Sequence, residues 1–336
     1  MPARGVEKKP VWAAVPRDLR AAVEAELGVR VARAVRAYGG YAPSATFRLT
    51  LANRKRAFFK ASYPVSEASG VRWVVDREER VYRRLGPFIS RWAPRFLGSL
   101  RYGGWHVLLL EDLGPQTMPP WTIVKARRAA RSYARFHATT LGKTLPRWLS
   151  RTQHHGFGVF WGRLAKSGEL RRTATLAMRR AREAEEWLDV ALPVLREHER
   201  GVLGIRPPFA LLHFDTRSDN VRLQGERLRI FDWPFASAGP AEFDVTAFCQ
   251  AIAAEGGPSP ERVLAWYEQV LPLRADAVGA SLAGIAGYFA DRAWRPPVRG
   301  LPRLRSIQRR QLKACLGWAA RRFGLPDPGW VTAVPD

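Results

Sequence analysis

The run LLHFDTRSDNVRL (residues 211–223) leads from two apolar residues, Leu211 and Leu212, into a polar loop. The loop carries His213, Asp215 and, five positions after that aspartate, Asn220. Twelve residues beyond Asn220, RIFDW (229–233) sets Asp232 at the end of a second short apolar segment. Both segments read as strands, too short for helices. An isolated Asp-x-x-x-x-Asn arises often by chance and decides nothing. Two strand ends that present carboxylates, with an amide between them, are more informative. Such oxygen donors suit a hard cation like Mg²⁺ and the phosphate oxygens it neutralises.

Upstream residues extend the pattern. RAFFKAS (56–62) reads as a strand carrying Lys60, and the helical pattern VVDREERVYRRL (74–85) carries Glu78. A lysine on such a strand can hold the α- and β-phosphates of a nucleotide while a helix glutamate orients it. The Asp215–Asn220 spacing equals that of Asp and Asn in the kinase catalytic-loop pattern H-R-D-x-x-x-x-N.

The bulk composition sets bounds on this reading. A chain of 336 residues can bury one large core or two lobes. Apolar residues at 46% and aromatics at 11% argue for a packed globular protein and against disorder. The two cysteines, Cys249 and Cys315, form no C-x-x-C pair, which excludes a disulfide scaffold or a cysteine-rich zinc site and suits a reducing compartment. MPARGVEKKPVWAAVPRDL lacks the apolar core of a signal peptide. No apolar run approaches the ~20 residues that cross a bilayer. The expected location is the cytoplasm, with no membrane partner. The net charge of +25 rests on 47 Arg and 8 Lys spread along the chain. Their dispersal, with no nucleic-acid-binding motif, favours a solvated surface over nucleic-acid binding.

Along the chain, PRDLRAAVEAELG (16–28) reads as a helix opened by proline and closed by glycine. VRVARAVRAY (29–38), TFRLTL (46–51) and RAFFKAS alternate as strands. The helix over 74–85 is expected to stop at Gly86 and Pro87. After RFLGSLRYGG (95–104), WHVLLLEDLG (105–114) reads as a buried strand running into a connector. From about residue 121 long helices dominate. TIVKARRAARSYARFHATTLG (122–142) places Ala130, Tyr133, Ala134 and His137 on one stripe, and residues 170–200 form a strongly charged helical stretch. The expected fold class is α+β, with a small β-rich N-terminal lobe over 1–110, a hinge at 111–114 and a larger helical lobe over 115–336. A ligand would be expected in the cleft between the lobes.

HFDTRSDN, IFDW, FFKAS, REERVYRRL and LLLEDLG, in the chain order FFKAS, REERVYRRL, LLLEDLG, HFDTRSDN, IFDW, together resemble the aminoglycoside phosphotransferase family of small-molecule kinases. The resemblance covers roughly residues 30–320 and implies a two-lobed protein-kinase-like fold. That family usually writes H-G-D-x-x-x-x-N, and this chain has Phe214 in place of the glycine; Trp233 and Pro234 stand where a protein kinase has Phe and Gly. Carried over by position, the resemblance makes Asp215 the base that orients the acceptor hydroxyl. Asn220 and Asp232 become metal ligands, Lys60 the phosphate-binding lysine and Glu78 its partner, with Glu79 adjacent. The backbone of Glu111, Asp112 and Leu113 would meet the adenine. Arg217 is inferred to stabilise charge on the γ-phosphate, and Gly39, Gly40 and Ser44 to belong to a loop over the phosphates.

Other residues have plainer readings. His213 is read as a loop-structuring residue, Asp244 as bonding the loop or the start of the next helix, and His137 as a core histidine. HHGFG (154–158) reads as loop, because adjacent histidines point apart. Of the tryptophans, Trp161, Trp187, Trp266 and Trp294 fall in the helical half, where one or two could line a pocket. The implied activity is transfer of phosphate from ATP (or GTP), with Mg²⁺, to a hydroxyl of a small molecule: an antibiotic, nucleoside-type product, sugar or metabolite. The carboxylates of the helical half are few beyond Glu183, Glu185, Glu186 and Asp189, so a neutral or anionic acceptor fits better than a polycation. The alternatives are a kinase acting on RNA and a catalytically silent nucleotide-binding module. A monomer and a homodimer are both compatible with the sequence.

Overall fold

In the computed structural model, which describes residues 9–38, 44–64 and 70–336, the chain forms two compact units. Unit 1 comprises Met1–Gln116, Arg229–Phe235 and Pro297–Arg303; unit 2 comprises Thr117–Leu228, Ala236–Pro296 and Leu304–Asp336.

Unit 1 is built on an antiparallel sheet. Helix α1 (Arg17–Leu27) ends at Gly28, whose φ of 66° lets its N–H turn back to the carbonyls of Ala25 and Glu24. Strands β1 (Val31–Arg36), β2 (Ala45–Leu51) and β3 (Arg56–Ser62) precede helix α2 (Gly70–Ile89), and β4 (Phe96–Tyr102) and β5 (Trp105–Glu111) follow it. The sheet order is β1-β2-β3-β5-β4. One face packs Phe47, Leu49, Phe59, Val107 and Leu109 against Val15, Leu19 and Val23, with Trp12 edge-on to Phe47 and Phe59. The intervening residues of β5, Leu108 and Leu110, are buried too, and α2 lies against β3 and β5. Burial on both faces explains why WHVLLLE is almost continuously apolar instead of alternating.

Two elements depart from the sequence expectation. Helix α2 does not stop at Gly86 and Pro87 but runs to Ile89. Leu85 and Ile89, one turn apart on the same face, are both buried, and that packing outweighs the hydrogen bond Pro87 cannot donate. Strand β4 has no clear sequence signal, because an irregularity between Phe96 and Gly98 shifts its register against β5 and breaks the alternation.

Unit 2 is mainly helical. Helix α3 (Ile123–Thr140) starts at Thr122, whose side chain accepts from the Lys125 N–H, and buries Ala130, Tyr133, Ala134 and His137. Then follow β6 (Ser150–Arg151), α4 (Phe160–Ser167), α5 (Leu170–Ala174), α6 (Ala181–Gly204), β7 (Ala210–Leu212), β8 (Val221–Gln224) and β9 (Arg227–Ile230). The remaining elements are β10 (Ser237–Gly239), α7 (Ala241–Ala254), α8 (Pro260–Glu268), α9 (Ala275–Arg292) and α10 (Leu304–Phe323). The charged stretch over 170–200 is not one helix: Met178, at φ 52° and ψ −113°, breaks it before α6. Strand β10 pairs in parallel with β6 and antiparallel with β7, which fixes the segment leading into Asp215. Helix α9 is buried along almost its whole length and packs against α4, α6, α7 and α10. Among the described residues no helix is long and apolar enough to cross a membrane.

Phe59 is fully buried between Phe47 and Trp12. Phe59→Ala should lower stability by about 3–5 kcal/mol, read as an earlier urea midpoint with an unchanged slope.

Candidate active site

In unit 1, strand β3 delivers Lys60 to two carboxylates. Its Nζ lies 2.5 Å from Glu78 Oε2 and 2.7 Å from Asp232 Oδ1. Burial alone would depress the Lys60 ammonium, but Asp232 and Glu78 outweigh it and raise its pKa, so the lysine stays charged. Glu78 also accepts the Trp233 backbone N–H at 3.3 Å, which pins the chain beside Asp232. The buried Trp233 indole donates to the Ile230 carbonyl. Asp232 itself sits at φ 66°, a left-handed conformation that L-residues adopt at a cost. The adjacent Glu79 makes different bonds. Hydrogen bonds from Ser99 and Arg83 outweigh the effect of burial and hold it down to about 2, while His106 lies 2.8 Å away. One ammonium between two carboxylates leaves the cluster a net negative charge, and Asp232 is the more exposed of the two acids. That charge and that oxygen chemistry fit a hard divalent cation.

In unit 2, the loop after β7 is held from below by Asp244, a fully buried carboxylate in the first turn of α7. It accepts the backbone N–H groups of His213 at 2.7 Å and Phe214 at 2.8 Å. The Tyr133 hydroxyl and His137 Nε2 complete its set. Burial would raise the Asp244 carboxyl, but His137 and Tyr133 hold it below the usual carboxylate range. Phe214, where glycine is usual, has φ 71°. Such a conformation costs about 1–3 kcal/mol. Its ring stacks on Phe243 with centroids 5.0 Å apart and touches Phe157 and His155. Aromatic pairs contribute about 0.5–1.5 kcal/mol each, so the cluster offsets the strain.

Above this support stands Asp215. Asn220 Nδ2 donates to its carbonyl at 2.8 Å and to Oδ2 at 3.1 Å, and Arg217 donates to the same Oδ2 at 3.1 Å. His213 is fully buried and its Nδ1 faces the Asp215 N–H at 3.4 Å. With its nitrogen committed to Asp215, Asn220 has its oxygen as the donor suited to a cation. Arg217 also lies 3.5 Å from Asp219.

The other anticipated residues are placed as follows. The Glu111 N–H already donates to the Arg95 carbonyl and its carboxylate binds Arg229 at 2.7 Å, so Asp112 and Leu113 carry the backbone groups beyond the end of β5. Asp112 turns back onto the Gly114 N–H. Ser44 is buried just ahead of β2, and Gly39 and Gly40 lie outside the described residues. Trp161 and Trp187 are core, their indoles donating to the Ala283 and Pro326 carbonyls. Among the described residues no group of three or more His, Cys, Asp or Glu could hold a metal.

Sequence reasoning missed Glu255. It accepts from Ser218 Oγ at 2.6 Å and from Trp121 Nε1 at 2.7 Å, bracing the loop between Asp215 and Asn220. Burial pushes its carboxyl up. Its signal was an acid at the C-terminal end of a helix, where the macrodipole disfavours it.

Asp244 gives a prediction with a definite sign. A depressed carboxyl contributes stability that is fully present above about pH 4, the unfolded value, and is lost as pH falls through its folded value. Asp244→Asn should cost about 2–4 kcal/mol at pH 7, and the gap between variant and parent should close below about pH 4 in denaturant titrations.

Comparison with known proteins bears on the same residues. Residues 34–278 match the model of the phosphotransferase enzyme family. A search of the curated proteins found no match. Among solved structures, spectinomycin phosphotransferase in complex with ADP and spectinomycin superposes with a TM-score of 0.59 at 12% identity, over 95% of this chain and 97% of that one. An aminoglycoside phosphotransferase from Alicyclobacillus acidocaldarius gives 0.56 at 13% identity, over 88% and 93%. An amicoumacin kinase in complex with AMP-PNP gives 0.52 at 10% identity, over 89% and 94%. These likenesses establish a kinase-like α+β fold. With the family match across most of its length, the chain belongs to the phosphotransferase enzyme family and is a small-molecule kinase related to the aminoglycoside phosphotransferases.

Proposed function

We propose that the enzyme transfers the γ-phosphoryl group of ATP to a hydroxyl of a neutral or anionic small molecule. The observation that carries this reading is the pair of prepared clusters: Lys60 clamped by Glu78 and Asp232, and Asp215 held by Asn220 and Arg217. Lys60 holds the α- and β-phosphates, and the backbone of Asp112 and Leu113 receives the adenine. Mg²⁺, when bound, neutralises phosphate charge, and the Asp232 carboxylate and Asn220 oxygen would hold it. Asp215 aligns the acceptor O–H and takes its proton. The acceptor oxygen bonds to the γ-phosphorus as the bond to the β-phosphate oxygen breaks, and ADP leaves. Arg217 offsets charge on the transferring group. The nucleotides in two solved relatives, ADP and AMP-PNP, support ATP.

The acids of the helical half support the acceptor preference. Glu183 and Glu186, two of the acids in the 183–189 run, are bound by Arg180 and Arg182.

ADP release across a panel of hydroxyl-bearing acceptors, with Mg²⁺ present, tests this reading. Asp215→Ala should lower kcat by about 10²–10⁴-fold, and Lys60→Met by about 10²–10³-fold. Full turnover in either variant would contradict the role of the residue replaced.

A further inference from the structure

Helix α9 ends in a concentration of guanidinium groups. Asp291, fully buried, is met by three arginines: Arg163 at 2.7 Å, Arg295 at 2.9 Å and Arg292 at 3.1 Å. At the start of α10, Arg305 lies within electrostatic reach of Arg292, Arg295 and Arg309. Three guanidinium groups around one carboxylate leave a net charge of +2, and Arg305 adds to it from nearby. The arginines are partly exposed, and their uncompensated positive charge favours an anion at this surface.

The cluster is connected to the catalytic loop. From Phe214, next to Asp215, the ring of Phe157 lies 5.5 Å away, and Tyr288 lies 5.5 Å from Phe157. The Arg292 guanidinium sits 5.8 Å from the centroid of Tyr288. Beyond the effect of its burial, the Tyr288 hydroxyl feels Arg292, Asp215 and Arg217. It is hydrogen-bonded to Gln308, whose Oε1 accepts from Arg305 at 2.7 Å. Arg292 is partly exposed, with its Nε turned to Asp291. Arg305 holds the Pro296 carbonyl with Nε and Gln308 with one terminal nitrogen. Each has a terminal N–H edge that no described residue occupies.

We infer that the acceptor is a hydroxylated small molecule bearing a carboxylate or phosphate, which Arg292 and Arg305 bind while Tyr288 and Gln308 set its hydroxyl towards Asp215. The proposal rests on the phosphotransferase reading above and adds the class of substrate and the residues that select it. Planar guanidinium forks match carboxylate and phosphate oxygens in pairs, which a lysine or a neutral donor cannot reproduce. Selection follows from charge: a polycationic acceptor meets repulsion here, whereas an anion relieves the crowding of like charges.

The test uses the full chain loaded with ADP and Mg²⁺, so that the nucleotide site is filled, and matched probes that differ in charge: glycerol 3-phosphate and glyceric acid against glycerol, gluconate against glucose, and uridine 5′-monophosphate against uridine. Calorimetric binding and turnover with ATP are measured for the parent, for Arg292→Met with Arg305→Met, and for both positions changed to Lys. The parent should bind at least one anionic probe more tightly than its neutral partner by roughly 10- to 100-fold, as expected for charge-assisted hydrogen bonds. The double Met variant should lose that preference with its ADP affinity retained, and the double Lys variant should recover part of it. The phosphate and carboxylate arms decide which anion is preferred. Equal binding of neutral and anionic probes, a preference that survives the Met changes, or a loss confined to nucleotide affinity would overturn the proposal. Failure of the parent to bind ADP would instead sink the underlying kinase reading.

Discussion

A charge removed from water must be matched, and the functional part of this molecule is organised by that requirement. Lys60 is almost wholly buried, and an unpaired ammonium there would cost several kcal/mol. Glu78 and Asp232 supply the match. Because they come from α2 and from the segment after β9, the pairing fixes three separated pieces of chain in one geometry. Asp244 solves the same problem in unit 2, where a buried carboxylate collects two consecutive backbone N–H groups, a phenol and an imidazole. The loop that carries Asp215 is thereby positioned by bonds that do not involve Asp215 itself.

The residues that sequence reading located were those whose chemistry demands a type at a short spacing. Asp215, Asn220 and Asp232 fall within eighteen positions on two strand ends, and their oxygen atoms suit the proposed cation. Lys60 was legible because an alternating strand carries it. Glu78 was preferred to Glu79 only slightly, since neighbours on a helix differ only in the face they present; the structure gives Glu78 to Lys60 and Glu79 to Ser99, Arg83 and His106. Glu255 escaped because its partners Ser218 and Trp121 lie 37 and 134 positions away. Tertiary packing also overrode local rules at Pro87 and Phe214, where buried apolar faces outweighed a lost hydrogen bond and a strained backbone.

The positive charge takes on a sharper form once it has positions. Some arginines pair with neighbouring acids, as Arg83 does with Glu79 and Arg182 with Glu186. Those around Asp291 do not balance. Arg292 and Arg295 are near Asp291 in the sequence, but Arg163 of α4 joins them only in the folded chain.

The role proposed for the Lys60–Glu78–Asp232 cluster is to receive a nucleotide together with a divalent cation. Calorimetric titration of ADP with and without Mg²⁺, on the parent and on Asp232→Asn, addresses it most directly. The parent should bind ADP, Mg²⁺ should tighten the binding, and the tightening should disappear in Asp232→Asn. Absence of ADP binding, or an equal Mg²⁺ effect in both proteins, would contradict it.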